Sequence, residues 1–505
     1  MNIKQAKEQI ENAVRAYLTK DKYGNYLIPP EKQRPIFLFG PPGIGKTAIM
    51  KQIATELNIG LLSYSMTHHT RQSVLGLPVI KHTEFEGEAY DYSEYTMSEI
   101  IAAIYDRMRE SGVRTGILFL DEINCVSETL TPIMLQFLQY KEFGRHKVPD
   151  GWIIVTAGNP PEYNRSVREY DIATWDRLKR VDVEADFEAW KEFAYASGIH
   201  NAVLTYLGNS KNYAKRFYHI ESTPDGIRFV TARGWDDLSK MIQIYELNNI
   251  AVTKTLVEQY IQDPEIAASF ATYYDLYNKY RSDYQIPDIL EGKADRAIEE
   301  RARSAKFDER YAFLGLLLEA VMSDMKQVMD SWKVLDTVYG YLKTARDRVG
   351  TDVTLAERML NESKKACHDE YEKAVKAHGV DDEQRLIDRR VCDFFDNAVR
   401  VLRMHDTPGE VAFDAVRALF NTAMEQQEKA AAKTAERTNN MYLFCERVFQ
   451  RGQELAILTN ELVSSPLSTK FLAKYEVPEF FKHNKSLLIE DRKAEIRTTI
   501  TKFQL

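Results

Sequence analysis

The residue types that handle a phosphate chain stand at the ends of apolar runs in this sequence. In IFLFGPPGIGKTAIM, an apolar run leads into Gly40, Pro41, Pro42, Gly43, Ile44, Gly45, Lys46, Thr47 and Ala48, where a helical pattern begins. Glycines 43 and 45 let backbone N–H groups turn inward on phosphate oxygens, and the helix N-terminus adds partial positive charge there. Lys46 is spaced to reach the β- and γ-phosphates, and the Thr47 hydroxyl to ligate Mg²⁺. GILFLDEIN (116–124) is a second apolar run, ending in two acids. Asp121 there suits a Mg²⁺ held partly through water, and Glu122 suits a general base that polarises the attacking water. The third run, GWIIVTAGNP, ends in Asn159 between glycine and proline, an amide placed to orient that water or touch the γ-phosphate. In FVTARGWDDL (229–238), Arg233 stands at the mouth of a helix, where the dipole favours Asp236 and Asp237 and disfavours a cation. Its placement predicts an incoming anion, or else a salt bridge to one of those aspartates.

These residues need a scaffold that presents strand ends side by side. Between residues 30 and 183, short apolar runs alternate with helical stretches, the pattern of βαβ units and a parallel sheet. The runs are Ile36–Phe39, Gly60–Ser65, Gly116–Leu120, Ile153–Thr156 and a fainter Val181–Val183; Lys46–Leu57 and Met97–Ser111 read as helices. Ile3, Ala6, Ile10, Val14, Tyr17 and Leu18 share one face of an N-terminal helix. From about 184 to 290 the strand pattern disappears, and helices broken by Pro224, Gly226, Gly234 and Pro264 follow. Beyond that, Tyr311–Val328 and Val411–Met424 predict long helices, and EQQEKAAAKTAER (425–437) a solvated one. The expected division is an α/β core over 1–183, a small helical domain over 184–294 and an all-helical extension over 295–505.

A chain of 505 residues is long enough for several cores. Its net charge of −8 argues against a broad surface for coating nucleic acid. No run of eighteen apolar residues predicts a membrane span, and the N-terminus resembles neither a secretory nor a transit peptide. Four scattered cysteines without CxxC pairs predict free thiols in a reducing cytoplasm and no structural metal.

GPPGIGKT, LFLDEIN, TAGN and TARGWDDL together resemble the Walker A, Walker B, sensor 1 and sensor 2 elements of an AAA+ ATPase, in the same order and over residues 30 to 290. The likeness is to the MoxR-type branch. HHTRQSVLGLPVIKHTEFEGEAYDYSEY (68–95) resembles that branch's insertion within the second helix, and LQYKEFGRHKVPDGW (138–152) its hairpin before sensor 1. The resemblance implies an ATP- and Mg²⁺-dependent hydrolase working as a homo-oligomeric ring, usually a hexamer, with a trans arginine finger. DIATWDRLKRVDV (171–183) resembles the finger segment, although Leu178 replaces the family's Phe. Arg177 aligns with the finger, and Arg180 is the alternative. Arg233 resembles the sensor 2 arginine, which makes the γ-phosphate its anion.

The function implied is a chaperone that remodels or matures protein complexes, often with a partner carrying a von Willebrand factor A-type domain. No D-x-S-x-S motif occurs here, so that partner is a separate protein. A second reading is a nucleic-acid-associated motor of a restriction or defence system, through Arg145-His146-Lys147 and Arg385 with Arg389-Arg390. Those clusters are short and flanked by acids, which favours solvated faces. A scaffold that only holds nucleotide is a third reading, disfavoured by the presence of Lys46, Asp121, Glu122 and Asn159 together.

Overall fold

The computed structural model describes residues 1–484 except 86, 165, 209–212, 225, 347–352, 405–408 and 451. The chain forms two compact units, Met1–Asp186 with Cys367–Arg385, and Phe187–Ala366 with the residues from Leu386 onward.

The first unit is built on apolar strands buried on both faces, as parallel strands must be when helices cover the sheet. In chain order its strands are β1 (Ile36–Phe39), β2 (Gly60–Ser65), β3 (Pro78–Phe85), β4 (Glu88–Tyr95), β5 (Gly116–Asp121), β6 (Glu142–Phe143), β7 (His146–Lys147), β8 (Trp152–Gly158) and β9 (Lys179–Asp182). Five form one parallel sheet in the order β2-β5-β8-β1-β9. The fourth of these strands in chain order, β8, therefore lies between β5 and β1. Ile117, Leu118, Phe119, Ile153, Ile154 and Val155 are at most 2% exposed, and each such side chain contributes roughly 1.5–3 kcal/mol on burial. Helix α1 (Ile3–Leu18) is closed by a capping box at Asn2 and Gln5. It buries Ala6, Ile10, Ala13 and Val14 and packs against α2 (Lys46–Leu57).

Both segments that interrupt this pattern fold as antiparallel hairpins. β3 pairs with β4 from Pro78↔Tyr95 to Phe85↔Glu88, and β6 with β7. Glu94 on β4 receives Lys81 from β3 and, at 3.1 Å, Arg145 from the β6–β7 turn, so the two hairpins are joined. Arg145 also lies over the Tyr92 ring at 5.7 Å.

The second unit is mostly helical, with two corrections to the sequence reading. Residues 219–230 form a hairpin of β10 (His219–Thr223) and β11 (Gly226–Val230) where strands were expected to be absent. The breakers Pro224 and Gly226 are the turn of this hairpin, with β-formers on either side. Two helices of 40 and 41 residues, Phe307–Arg346 and Gly409–Phe449, pack along each other. The stretch 425–437, expected to be solvated, lies inside the second of these and buries Gln427, Ala431 and Thr434. These small or polar residues recur at i, i+4 and i+7, and they form a narrow packed stripe beneath a charged face. None of the four cysteines forms a disulfide. Among the described residues no helix is long and apolar enough to cross a membrane.

At the sheet's lower edge the Trp152 indole covers Gly60 and Gly116. A Cβ at Gly116 would stand 2.8 Å from the Gly60 carbonyl oxygen and from the Trp152 ring. Gly116→Ala is therefore expected to destabilise the protein by about 1–3 kcal/mol through overpacking, read from a urea unfolding midpoint. An unchanged midpoint would show that the sheet edge relaxes freely.

Candidate functional site: the C-terminal edge of the sheet

In an open parallel sheet, ligands bind beyond the carboxyl ends of the strands where the connections diverge. β1, β5 and β8 all end at this edge, and each ends in or is followed directly by a residue that the sequence singles out: Gly40, Asp121 and Asn159.

β1 runs directly into the glycine loop. Gly43 and Gly45 have φ of 74° and 97°, left-handed values that favour glycine. A Cβ at Gly40 would lie 2.4 Å from the Val183 carbonyl oxygen. Gly45 is the N-cap of α2 and offers no side-chain cap. The first-turn N–H groups of α2 are thus left for an anion, where α1 satisfies its own with Asn2.

Lys46 is only 8% exposed, and its ammonium is met by three oxygens at 2.7 Å: the carbonyls of Gly40 and Pro41 and Asn159 Oδ1. The Thr47 hydroxyl donates to Asp121 Oδ2 at 2.8 Å. Ends of three neighbouring strands are thereby joined by two side-chain bonds, and Lys46, Thr47, Asp121 and Asn159 form one cluster.

Glu122 adopts a left-handed backbone, φ 55° and ψ 34°, uncommon for a residue with a side chain. This turn carries its carboxylate toward the end of β2, where Ser65 lies in register with Asp121. The hydroxyls of Ser65 and Thr67 donate to Glu122 Oε2 at 3.1 and 3.4 Å. Neither residue was singled out from the sequence. Hydroxyls at a strand end are too common to be a signal without the pairing that brings β2 beside β5.

Asn124 is also absent from the sequence expectations. It is 3% exposed and donates from Nδ2 to the Asn159 carbonyl at 2.8 Å. A Cβ on Gly158 would fall 2.4 Å from Asn124 Oδ1, so the glycine before Asn159 is what admits this contact. Beside it, Asn164 Nδ2 donates to Cys125 Sγ at 3.3 Å. Burial pushes the Cys125 thiol pKa up, with Glu122 and Asp121 adding to it, which keeps it a neutral thiol.

The two candidate arginines of the 171–183 segment differ in their surroundings. Arg180 stacks over Phe39 and Trp175, at 4.5 and 4.6 Å from the ring centroids, and pairs with Asp182 at 2.7 Å. Arg177 ends the helix Ile172–Asp176, is exposed, and makes no ion pair among the described residues. Asp176, its sequence neighbour, lies 4.0 Å from Arg34 instead.

Arg233 belongs to the second unit. It is the second residue of the helix Ala232–Leu247, whose N-cap Thr231 accepts from Gly234 N–H at 3.1 Å. Trp235, Leu238 and Ile242 anchor that helix, and Trp235 Nε1 donates to the Arg216 carbonyl. Arg233 is exposed and has no ion pair among the described residues; Asp236 pairs with Lys240 at 2.9 Å.

Residues 36–174 match the sequence model of the ATPase family associated with various cellular activities (AAA). No curated protein matches the chain. The matched segment spans β1 through the helix after Asn159, so it contains the whole cluster around Lys46. It is an AAA ATPase domain, a nucleotide-binding module whose general activity is ATP hydrolysis.

The hydroxyl contacts to Glu122 make a testable distinction. A hydrogen bond to a charged group contributes about 1.5–3 kcal/mol, and here two hydroxyls hold the Glu122 carboxylate at the end of β2. Ser65→Ala with Thr67→Val is expected to raise basal ATP turnover about two- to tenfold, with nucleotide affinity unchanged. Measured phosphate release that falls instead would assign these hydroxyls to orienting the base productively.

Proposed function

We propose that the protein is an ATP-hydrolysing motor of the MoxR type, which remodels or matures protein complexes. The observation that carries the hydrolytic part is the bonded cluster of Lys46, Asn159, Thr47 and Asp121 with Glu122 beside it. Support for the MoxR branch is the β3–β4 hairpin, joined through Glu94 to the β6–β7 hairpin that precedes β8. In this reading the protein acts in the cytoplasm as a homo-oligomeric ring, usually a hexamer in that branch. It acts on protein clients together with a separate protein carrying a von Willebrand factor A-type domain.

Each residue then has a role. The loop Gly40–Ala48 wraps the phosphate chain with its N–H groups, and Lys46 exchanges its carbonyl partners for β- and γ-phosphate oxygens. Thr47 and Asp121 are hard oxygen donors held together at the strand ends, a donor set that fits Mg²⁺. That ion, when bound, neutralises charge on the phosphates. Glu122 accepts the proton of the attacking water as the oxygen–phosphorus bond forms and the bond to the ADP oxygen breaks. Asn159, fixed through its backbone by Asn124, orients the water or the γ-phosphate.

Arg177 is the finger presented to a neighbouring subunit, because Arg180 is already stacked and paired. Arg233 is the γ-phosphate sensor, and its helix would follow the phosphate through the hydrolytic cycle. The nucleic-acid reading draws little support here. Arg145 is engaged by Glu94, and Lys147 lies 3.8 Å from Glu142.

Lys46→Ala is expected to abolish nucleotide binding in a titration with a fluorescent ATP analogue. Glu122→Gln should retain ATP while turnover falls about 100-fold or more. An ATP-loaded Glu122→Gln protein recovered from its own cell lysate should carry protein clients; recovery of DNA or RNA alone would overturn the remodelling assignment. For Arg177, mixing decides: Arg177→Ala subunits should regain turnover when a wild-type neighbour supplies the finger, and continued inactivity of those sites would remove it from the trans role.

A further inference from the structure

The segment Cys367–Arg385 packs with the nucleotide-binding unit, although the chain on both sides of it belongs to the other unit. It comprises the end of the helix Val353–His378, a turn, and the start of the helix Asp382–Met404. Gly379 closes the first helix with φ 74°, its N–H bonded to the Val375 carbonyl. The last carbonyls of any helix lack partners within it. Here the nucleotide-binding core supplies a partner to one of them, Lys376, and to the Val380 carbonyl in the turn just beyond. Lys51 Nζ on α2 donates to the Val380 carbonyl at 3.1 Å, and Arg107, on the helix Glu99–Ser111, donates to the Lys376 carbonyl.

Two cations from the core thus meet the negative end of a helix dipole. Thr55, one turn beyond Lys51 on α2, lies 3.3 Å from His378 Nδ1. Ala377 and His378 are 1% and 8% exposed. Burial, with Lys51 and Arg107 adding to it, holds the His378 imidazole pKa below its ordinary value. The contact is therefore a built interface, with apolar burial, two charged donors and a glycine turn shaped for it.

We propose that the 367–385 tip is an internal effector of the nucleotide site, clamping α2 at Lys51 and Thr55 and preorganising the helix that starts with Lys46 and Thr47. α2 is the element common to both ends of this contact. Lys46 and Thr47 form its first turn, and Lys51 and Thr55 follow on its next two. A clamp on the later turns limits tilting of the first, so the loop N–H groups meet phosphate with less conformational freedom to lose. Coupling of this kind is reciprocal: nucleotide must tighten the tip by the factor through which the tip tightens nucleotide. The helical extension thereby gains a direct connection to the chemistry, made by backbone carbonyls of residues more than 300 positions away from α2.

The proposal rests on Lys46 and its loop binding nucleotide, and the test separates the two. In the full-length protein, binding of a fluorescent ATP analogue is measured for wild type, Lys51→Ala/Arg107→Ala and Gly379→Val, beside hydrogen exchange at residues 376–381. The double variant removes the two donors. Gly379→Val disrupts the turn from the tip side without altering α2, because valine resists a positive φ. Both are expected to lose exchange protection at 376–381 and to weaken analogue binding three- to tenfold, and in wild type the analogue should slow exchange at the tip. Lost protection with unchanged or tighter binding would overturn the effector role. Protection that persists in both variants would show that these contacts do not hold the tip, with the same consequence. Failure of the wild-type protein to bind the analogue would instead remove the nucleotide assignment itself, and this inference with it.

Discussion

A buried ammonium must be surrounded by acceptors, and Lys46 is the place where this fold meets that demand. At 8% exposure, an unpartnered charge would cost more than the domain could spare. Its three acceptors come from two separate strand ends, Gly40 and Pro41 after β1 and Asn159 after β8. Only a sheet order in which β8 directly flanks β1 satisfies them together, and the observed order β2-β5-β8-β1-β9 does so. The same order sets β5 on the other side of β8, which brings Asp121 to the Thr47 hydroxyl. The glycine at 158 and the buried amide of Asn124 then follow from the need to hold the Asn159 backbone in place.

The parts of this arrangement that were legible in the sequence are those encoded locally. A glycine loop followed by Lys-Thr, and acids or an amide ending an apolar run, announce themselves by position along the chain. The parallel sheet was legible for the same reason, since runs of three to six mostly apolar residues alternate with helical periodicity. What remained hidden depends on which elements become neighbours. Ser65 and Thr67 reach Glu122 only because β2 pairs with β5 in the register Ser65↔Asp121. Asn124 reads as one more polar residue after DEI until Gly158 is seen to make room for it. The β10–β11 hairpin was missed because Pro224 and Gly226 were read as helix breakers, when they mark the turn between two short strands. The contact of 376–380 with α2 and the helix Glu99–Ser111 has no sequence signal, since the core's Lys51 and Arg107 meet backbone carbonyls there.

Charge pairing also decides which surfaces remain open to other molecules. The basic triplet 145–147 reads from sequence as a solvated face before a phosphate contact, and in the structure Glu94 gathers Lys81 and Arg145. That carboxylate sits on the strand opposite Val79 and stitches the two hairpins into a single projection. Its cations are spent internally, while Leu77, Ile80 and Tyr90 stay exposed on it.

Arg177, Arg180 and Arg233 illustrate how context separates residues of one chemical type. Arg180 points back toward the sheet, where its guanidinium plane lies on Phe39 and Trp175 and its charge meets Asp182. Phe39 is the last residue of β1, so this stack braces the strand that feeds the glycine loop, and it fixes Trp175 in the short helix that ends at Arg177. The same packing that engages Arg180 therefore holds Arg177 at an exposed helix end. Arg233 is presented by analogous means in the second unit, where a Thr231 cap and a fully buried Trp235 fix the first turn of its helix. An exposed arginine on a rigid turn loses little conformational freedom when an anion arrives, and that makes a cation useful at a position where the helix dipole alone disfavours it.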